Sequence, residues 1–187
     1  TFGIYHLNQE QRAINAQMHK RERLFREHRL FDNLTPLSTA EYLRRQLDQT
    51  LRQADEEQRP LSLLAIDLDD FSRVNQRYGQ AEGDLVLQAV AQLLVLNLRH
   101  QDLLCRLAGD RFVVLLPDTA EQQARQLAEE LQTAVASLAH KTRQHGERLH
   151  LRASTAVVMA FDDDAEQLLQ RLNLALAKAK QSLPRCA

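Results

Sequence analysis

The chain has 187 residues, 44% of them hydrophobic, which is enough for one sizeable core with a modest extension, and its net charge is −1. So even a balance gives no broad basic field, which argues against nucleic acid as a partner and makes any phosphate binding local. Two cysteines, Cys105 and Cys186, make no disulfide framework and suit a reducing, cytoplasmic setting. The longest apolar stretch, Leu85 to Leu98, is interrupted by Gln88, Gln92 and Asn97 and reads as a core helix, not a membrane span. The chain opens at Thr1 without a methionine, so it reads as an excised piece, and a membrane-associated parent protein stays open.

Residues 1 to 6 read as the last strand of an upstream unit, followed by Asn8 as a helix N-cap with Gln11 three residues on. The helix from about Gln9 to Phe31 is strongly charged. Its ragged stripe of Ile14, Met18, Leu24, Phe25 and Phe31 fits either a solvated connector or a two-helix dimer stalk. Asp32 to Thr39 breaks it, and Ser38 with Glu41 forms a capping-box pattern for a helix over about Thr39 to Glu56, buried through Leu43, Leu47, Leu51 and Ala54.

Leu61 to Ile66 is a continuous apolar run that predicts a central strand covered on both faces, with Asp67-Leu68-Asp69-Asp70-Phe71 at its C-terminal end. One helix then spans about Asp70 to Tyr78, Gly79 stops it, and a second spans about Gly83 to Leu98. Leu103 to Leu116 places two apolar runs around a Gly-Asp pair, a hairpin whose tip carries Ala108 to Arg111. Thr119 with Gln122 caps a helix to about Leu138, a polar loop covers His140 to Arg148, and Leu149 to Met159 alternates as a half-buried strand. A last helix runs from about Ala165 to Gln181, ahead of Pro184. Strands interleaved with paired helices predict an α/β (α+β) sandwich with a central sheet of about four or five strands.

Asp110 lies at the tip of a hairpin with two apolar arms, so its carboxylate projects from a fixed frame, as a metal or phosphate site needs. Other charged residues have plain structural roles available: Asp69 or Asp70 as a helix N-cap, Asn75 and Asp84 at helix termini, Arg99 with Asp102 as a helix-end ion pair, and Lys180 as a helix-end cation.

The hairpin tip, Ala108-Gly109-Asp110-Arg111-Phe112, resembles the Gly-Gly-Asp/Glu-Glu-Phe signature of the GGDEF (diguanylate cyclase) family, matching at Gly109, Asp110 and Phe112. The resemblance extends through Asp67-x-Asp69-x-Phe71, Asn75, Gly79 and Gly83-Asp84, through Asp32, Leu34, Thr35 and Leu37, and through Leu172 to Lys180. Together these blocks cover about residues 32 to 183, so the chain divides into a connector over 1–31 and a GGDEF-like domain over 32–187. The family joins two GTP molecules, held by facing protomers, into cyclic di-GMP with the help of magnesium.

The resemblance implies metal ligation by Asp67, the Leu68 carbonyl and Asp110, guanine reading by Asn75 and Asp84 beside Phe71, and phosphate contact by Lys180. An amide can pair with the acceptor and donor edge of guanine, and a carboxylate accepts from its N–H groups. Arg99-His100-Gln101-Asp102 is similar to the family's inhibitory site for cyclic di-GMP, where arginine forks onto guanine or phosphate.

The departures point to lost catalysis. Arg111 stands where the family has a glutamate for metal and catalysis, and Ser72, Gln76 and Gln80 replace a lysine, an aspartate and a histidine. A guanidinium about 4 Å from a divalent ion costs about 8 kcal/mol at an effective dielectric near 20, so magnesium is expected weakly or at a single site. The expectation is therefore a degenerate GGDEF domain that binds GTP or cyclic di-GMP as a regulatory module. Two alternatives remain: an active cyclase with an atypical signature, and a nucleotide-independent dimerisation or docking domain. The first residues resemble the exit from a PAS sensory domain, which implies a larger signalling protein, with an EAL domain as a further expectation and a homodimer formed through the N-terminal helix.

Overall fold

The computed structural model describes residues 39–183. The upstream strand, the connector helix and the helix break expected before residue 39 lie outside the described residues.

Helix α1 (Ala40–Glu57) leads into strand β1 (Leu61–Leu68), and two short-linked helices follow, α2 (Phe71–Tyr78) and α3 (Gln80–Leu96). The hairpin pairs β2 (Leu103–Ala108) with β3 (Arg111–Pro117); then come α4 (Glu121–Ala136), β4 (His140–Lys141), β5 (Arg148–Leu149), β6 (Ala153–Met159) and α5 (Ala165–Gln181). The main sheet has four strands in the order β2-β3-β1-β6, each neighbouring pair antiparallel, and β4 and β5 form a separate two-stranded sheet.

β1 is buried along its whole length because both faces are covered. Alternation divides its side chains: Leu64, Ile66 and Leu68 join Val86, Val90, Leu94 and Leu131 under α3 and α4, whereas Leu61, Leu63 and Ala65 join Leu43, Leu47, Leu168 and Leu172 under α1 and α5. The result is a three-layer sandwich with the sheet in the middle. The 103–116 hairpin forms as expected, with Gly109 at φ +54 in its turn and a register shift between Arg106 and Ala108.

Four boundaries differ from the sequence expectation. Thr39, not Ser38, caps α1, accepting the Tyr42 N–H at 3.4 Å. The N-cap of α4 is Ala120, whose N–H donates to Gln123 Oε1 at 3.1 Å; the Thr119 hydroxyl instead donates to the Pro117 carbonyl at 2.8 Å. α3 begins at Gln80, directly after Gly79, because Gly79 at φ +91 closes one helix and opens the next without a linker. The expected strand over Leu149 to Met159 is two pieces: Leu149 pairs with His140 in the small sheet, and the chain rejoins the main sheet at Ala153. Among the described residues no helix is long and apolar enough to cross a membrane.

Candidate functional site

Asp67 lies one residue from the end of β1, directly opposite Arg111 of β3 on one side and Ser154 of β6 on the other. Residue 67 has the same parity as Leu61, Leu63 and Ala65, so its carboxylate points to the side that α5 covers. Arg111 shares the parity of Val113 and Leu115, so it rises on that same side. The C-terminal turn of α5 brings Lys180 there as well.

The two cations converge on one atom of Asp67. Asp67 Oδ2 accepts Arg111 Nη2 at 3.2 Å and Nε at 3.3 Å, and Lys180 Nζ stands 3.0 Å away. The Asp67 side chain is 5% exposed, against 37% for Arg111 and 35% for Lys180. A buried carboxylate is thus compensated by cations that keep about a third of their surface in solvent. Asp67 Oδ1, by contrast, is buried with no hydrogen-bond partner among the described residues.

Asp110 sits in the hairpin turn, its carbonyl accepting the Leu68 N–H at 3.3 Å. Burial first, and then the negative charge of Asp67, hold the Asp110 carboxyl above its ordinary value. The carboxylate pair expected from the sequence therefore exists, but with one oxygen already committed to two fixed cations. Among the described residues no group of three or more His, Cys, Asp and Glu gathers for a metal. The unpartnered Asp67 Oδ1 and the neighbouring Asp110 fit a single magnesium whose remaining ligands are water and phosphate oxygens. Arg111 lies on Oδ2, the other oxygen of the same carboxylate.

Asn75 and Gly83 meet where α2 and α3 cross. A Cβ built on Gly83 would stand 1.8 Å from Asn75 Oδ1 and 3.3 Å from the Phe71 ring, so the glycine is required by the close approach of the amide. Asn75 Oδ1 is buried and without a hydrogen-bond partner among the described residues. Asp84, the next residue on α3, is half-buried. Phe71 is 7% exposed and packs in the core below this contact, and Leu68 is 1% exposed within the same cluster.

Arg99 and Asp102 form a fork at the far end of β3: Nη2 meets Asp102 Oδ1 at 2.9 Å and Nε meets Oδ2 at 3.2 Å. The same guanidinium donates to the Pro117 carbonyl at 3.1 Å and Thr119 Oγ1 at 2.6 Å. The structure thus makes three groupings of the sequence candidates: Asp67, Asp110, Arg111 and Lys180 at one end of the sheet; Phe71, Asn75 and Asp84 at the α2–α3 corner; and Arg99 with Asp102 at the opposite end of β3.

Two partnerships had gone unread in the sequence. Ser154 Oγ donates to Asp69 Oδ1 at 2.7 Å, which ties the acidic loop to β6 and gives Asp69 a task other than capping α2. Glu82 faces His140 Nε2 at 2.8 Å in a buried pair. Glu82 precedes Val86 and Val90 at four-residue steps, and a carboxylate on an apolar stripe is the signal that could have revealed a buried partner.

Residues 29–184 match the family model described as diguanylate cyclase, GGDEF domain, and the chain belongs to that family. It is 35% identical over 153 residues to the response regulator PleD of Caulobacter vibrioides, a match covering 81% of this chain and 34% of PleD. To diguanylate cyclase DgcP of Pseudomonas aeruginosa it is 31% identical over 177 residues, covering 94% of this chain and 26% of DgcP. The chain thus spans between about a quarter and a third of these relatives. The GGDEF domain of DgcB from Caulobacter crescentus, whose crystal structure is a complex with c-di-GMP, shares the fold at a TM-score of 0.79 and 24% identity, covering 82% of this chain and 89% of that one.

Proposed function

We propose that this domain is a degenerate GGDEF module of cyclic di-GMP signalling, which binds GTP or cyclic di-GMP and is impaired as a cyclase. The observation that carries this reading is the convergence of Arg111 and Lys180 on Asp67 Oδ2. A fixed guanidinium occupies the oxygen that a second catalytic ion would need, and an ammonium reinforces it. Both cations keep about a third of their side-chain surface in solvent, so a triphosphate can reach them where they stand on Asp67.

In this reading Asn75 Oδ1 accepts from the guanine base and Asp84 takes the N–H groups of its edge, while Lys180 and Arg111 hold phosphate oxygens. A single magnesium on Asp67 Oδ1 and Asp110 would screen phosphate charge when bound. Burial and the charge of Asp67, which hold the Asp110 carboxyl above its ordinary value, work against its ionised, metal-binding form. Arg99 and Asp102 bind cyclic di-GMP only if the ligand takes the guanidinium away from Asp102, Pro117 and Thr119. Residues 1–31 serve as the connector from an upstream sensory unit and as the dimer contact, within a cytoplasmic portion of a parent that carries other domains, an EAL domain among them.

The test measures GTP binding by calorimetry with magnesium and with EDTA, and cyclic di-GMP formation by chromatography, for the wild type and Arg111→Glu. The wild type is expected to bind GTP with less than a tenfold loss in EDTA and to form no product, whereas Arg111→Glu makes binding depend on magnesium. Product from the wild type overturns the proposal in favour of an active cyclase. Absence of GTP and cyclic di-GMP binding under every condition leaves a docking domain.

A further inference from the structure

The small sheet is pinned to the α2–α3 corner on both sides of Gly79. On the α2 side, Glu147 Oε2 accepts the Tyr78 hydroxyl at 2.6 Å and the Arg77 guanidinium at 3.3 Å, and the Tyr78 and His145 rings lie 5.8 Å apart. On the α3 side, Glu82 Oε1 meets His140 Nε2 at 2.8 Å and accepts the Arg143 backbone N–H at 3.3 Å. Here both partners are covered, with the Glu82 side chain 7% and the His140 side chain 14% exposed.

The loop that joins these anchors is braced internally. Thr142 is 3% exposed, its N–H donates to the Glu147 carbonyl at 2.9 Å, and its hydroxyl accepts the Glu147 N–H at 3.1 Å. Gly146 closes the turn with an N–H to the Thr142 carbonyl at 2.9 Å and φ +62.

Gly79 itself offers no such restraint. It stands at φ +91, and a Cβ added there would meet nothing within 4 Å, so packing at the glycine does not fix the angle between the two helices. Yet that angle matters, because it sets how closely Gly83 backs onto Asn75, where a Cβ would lie 1.8 Å from Oδ1.

We infer that the β4–β5 hairpin is a splint across the Gly79 corner, and that Glu82, His140 and Glu147 are positioning residues that set the spacing of Asn75 and Asp84 and so govern discrimination among purine bases. The inference rests on the proposed guanine reading by Asn75 and Asp84. The hairpin touches neither of these residues in any contact above; it acts through Tyr78 and Glu82, which belong to the same two helices. The ligand class is a purine nucleoside triphosphate, and the chemical feature whose recognition depends on the splint is the 2-amino edge of guanine.

The experiment uses the whole chain and compares GTP with inosine triphosphate, which lacks that amino group, by calorimetry. The wild type is expected to prefer GTP by at least tenfold. His140→Ala and Glu147→Ala are expected to cut the GTP-to-inosine-triphosphate ratio at least threefold, and His140→Gln, which still donates to Glu82, to restore it. Tyr78→Phe removes one donor from Glu147 with little risk to folding and is expected to shift the ratio the same way. A ratio unchanged in all these variants, whatever their melting temperatures, overturns the inference, because a merely structural hairpin would alter stability alone.

Amide hydrogen exchange separates this failure from failure of the underlying reading. Equal binding of the two nucleotides by the wild type overturns guanine reading and the discrimination role with it. Exchange over residues 75–84 that is no faster in His140→Ala and Glu147→Ala overturns the splint while guanine reading stands.

Discussion

Asp67 offers one oxygen to two cations and leaves the other bare, and Gly83 yields its side chain to an amide; both facts depend on single atoms. Replacing Gly83 with alanine would put a methyl 1.8 Å from Asn75 Oδ1 and 3.0 Å from its Cγ, so the amide must swing away. Gly83→Ala is expected to destabilise the domain by about 1–3 kcal/mol and to abolish the preference for GTP. Urea unfolding and calorimetry would check it; the clash also predicts that Asn75→Ala in the Gly83→Ala background recovers stability, a coupling absent if the two do not touch. The residues of the site were legible as types: Asp67, Asp110, Arg111 and Lys180 could each be singled out from the chain. That Arg111 and Lys180 converge on Asp67 was not read from the chain, although strand parity from Leu61 to Asp67 and from Arg111 to Leu115 already puts Asp67 and Arg111 on one face.

Helices and strands follow the apolar pattern, and their ends follow local hydrogen bonds that the pattern does not specify. α3 was expected to begin at about Gly83, a few residues after Gly79 stops the helix before it; it begins at Gln80, and Gly83 serves a close contact inside the helix. The alternation from Leu149 to Met159 looked like one strand, but the pairing of Leu149 with His140 withdraws its first part into another sheet. That small sheet has its own pH response. Hydrogen bonding from His140 holds the Glu82 carboxyl below its ordinary 4.5, and the Tyr78 hydroxyl does the same for Glu147. A carboxylate depressed in the folded state binds fewer protons there than in the unfolded chain, so its stabilisation is present above about pH 4.5 and is lost as the pH falls further. Urea midpoints measured at pH 7 and pH 4 should therefore fall less for Glu82→Gln than for the wild type. An equal fall in both would show that the pair contributes nothing to acid sensitivity.

Across the whole molecule the sheet separates two apolar layers that share β1 but not their helices. Leu47 of α1 and Leu94 of α3 are both fully buried, on opposite sides. Leu47→Ala and Leu94→Ala are each expected to cost about 2–5 kcal/mol. Their effects should add to within about 0.5 kcal/mol, since the two cavities have no neighbour in common. Denaturant unfolding followed by circular dichroism and by tyrosine fluorescence should remain one coincident transition in each; separated transitions would mean that the layers unfold independently. The three-layer plan was legible because an uninterrupted apolar strand must be covered twice. The position of Lys180 bears on the order in which the chain acquires this plan. Asp67 belongs to β1 and Lys180 to α5, the first strand and last helix among the described residues, so more than half of the 187 residues are made between them. Until α5 docks, Asp67 has Arg111 as its one fixed counter-charge from those two. Helix α5 is therefore an electrostatic closing step as well as a layer of core, and a long-range contact of this kind makes the pocket one of the last features of this domain to mature.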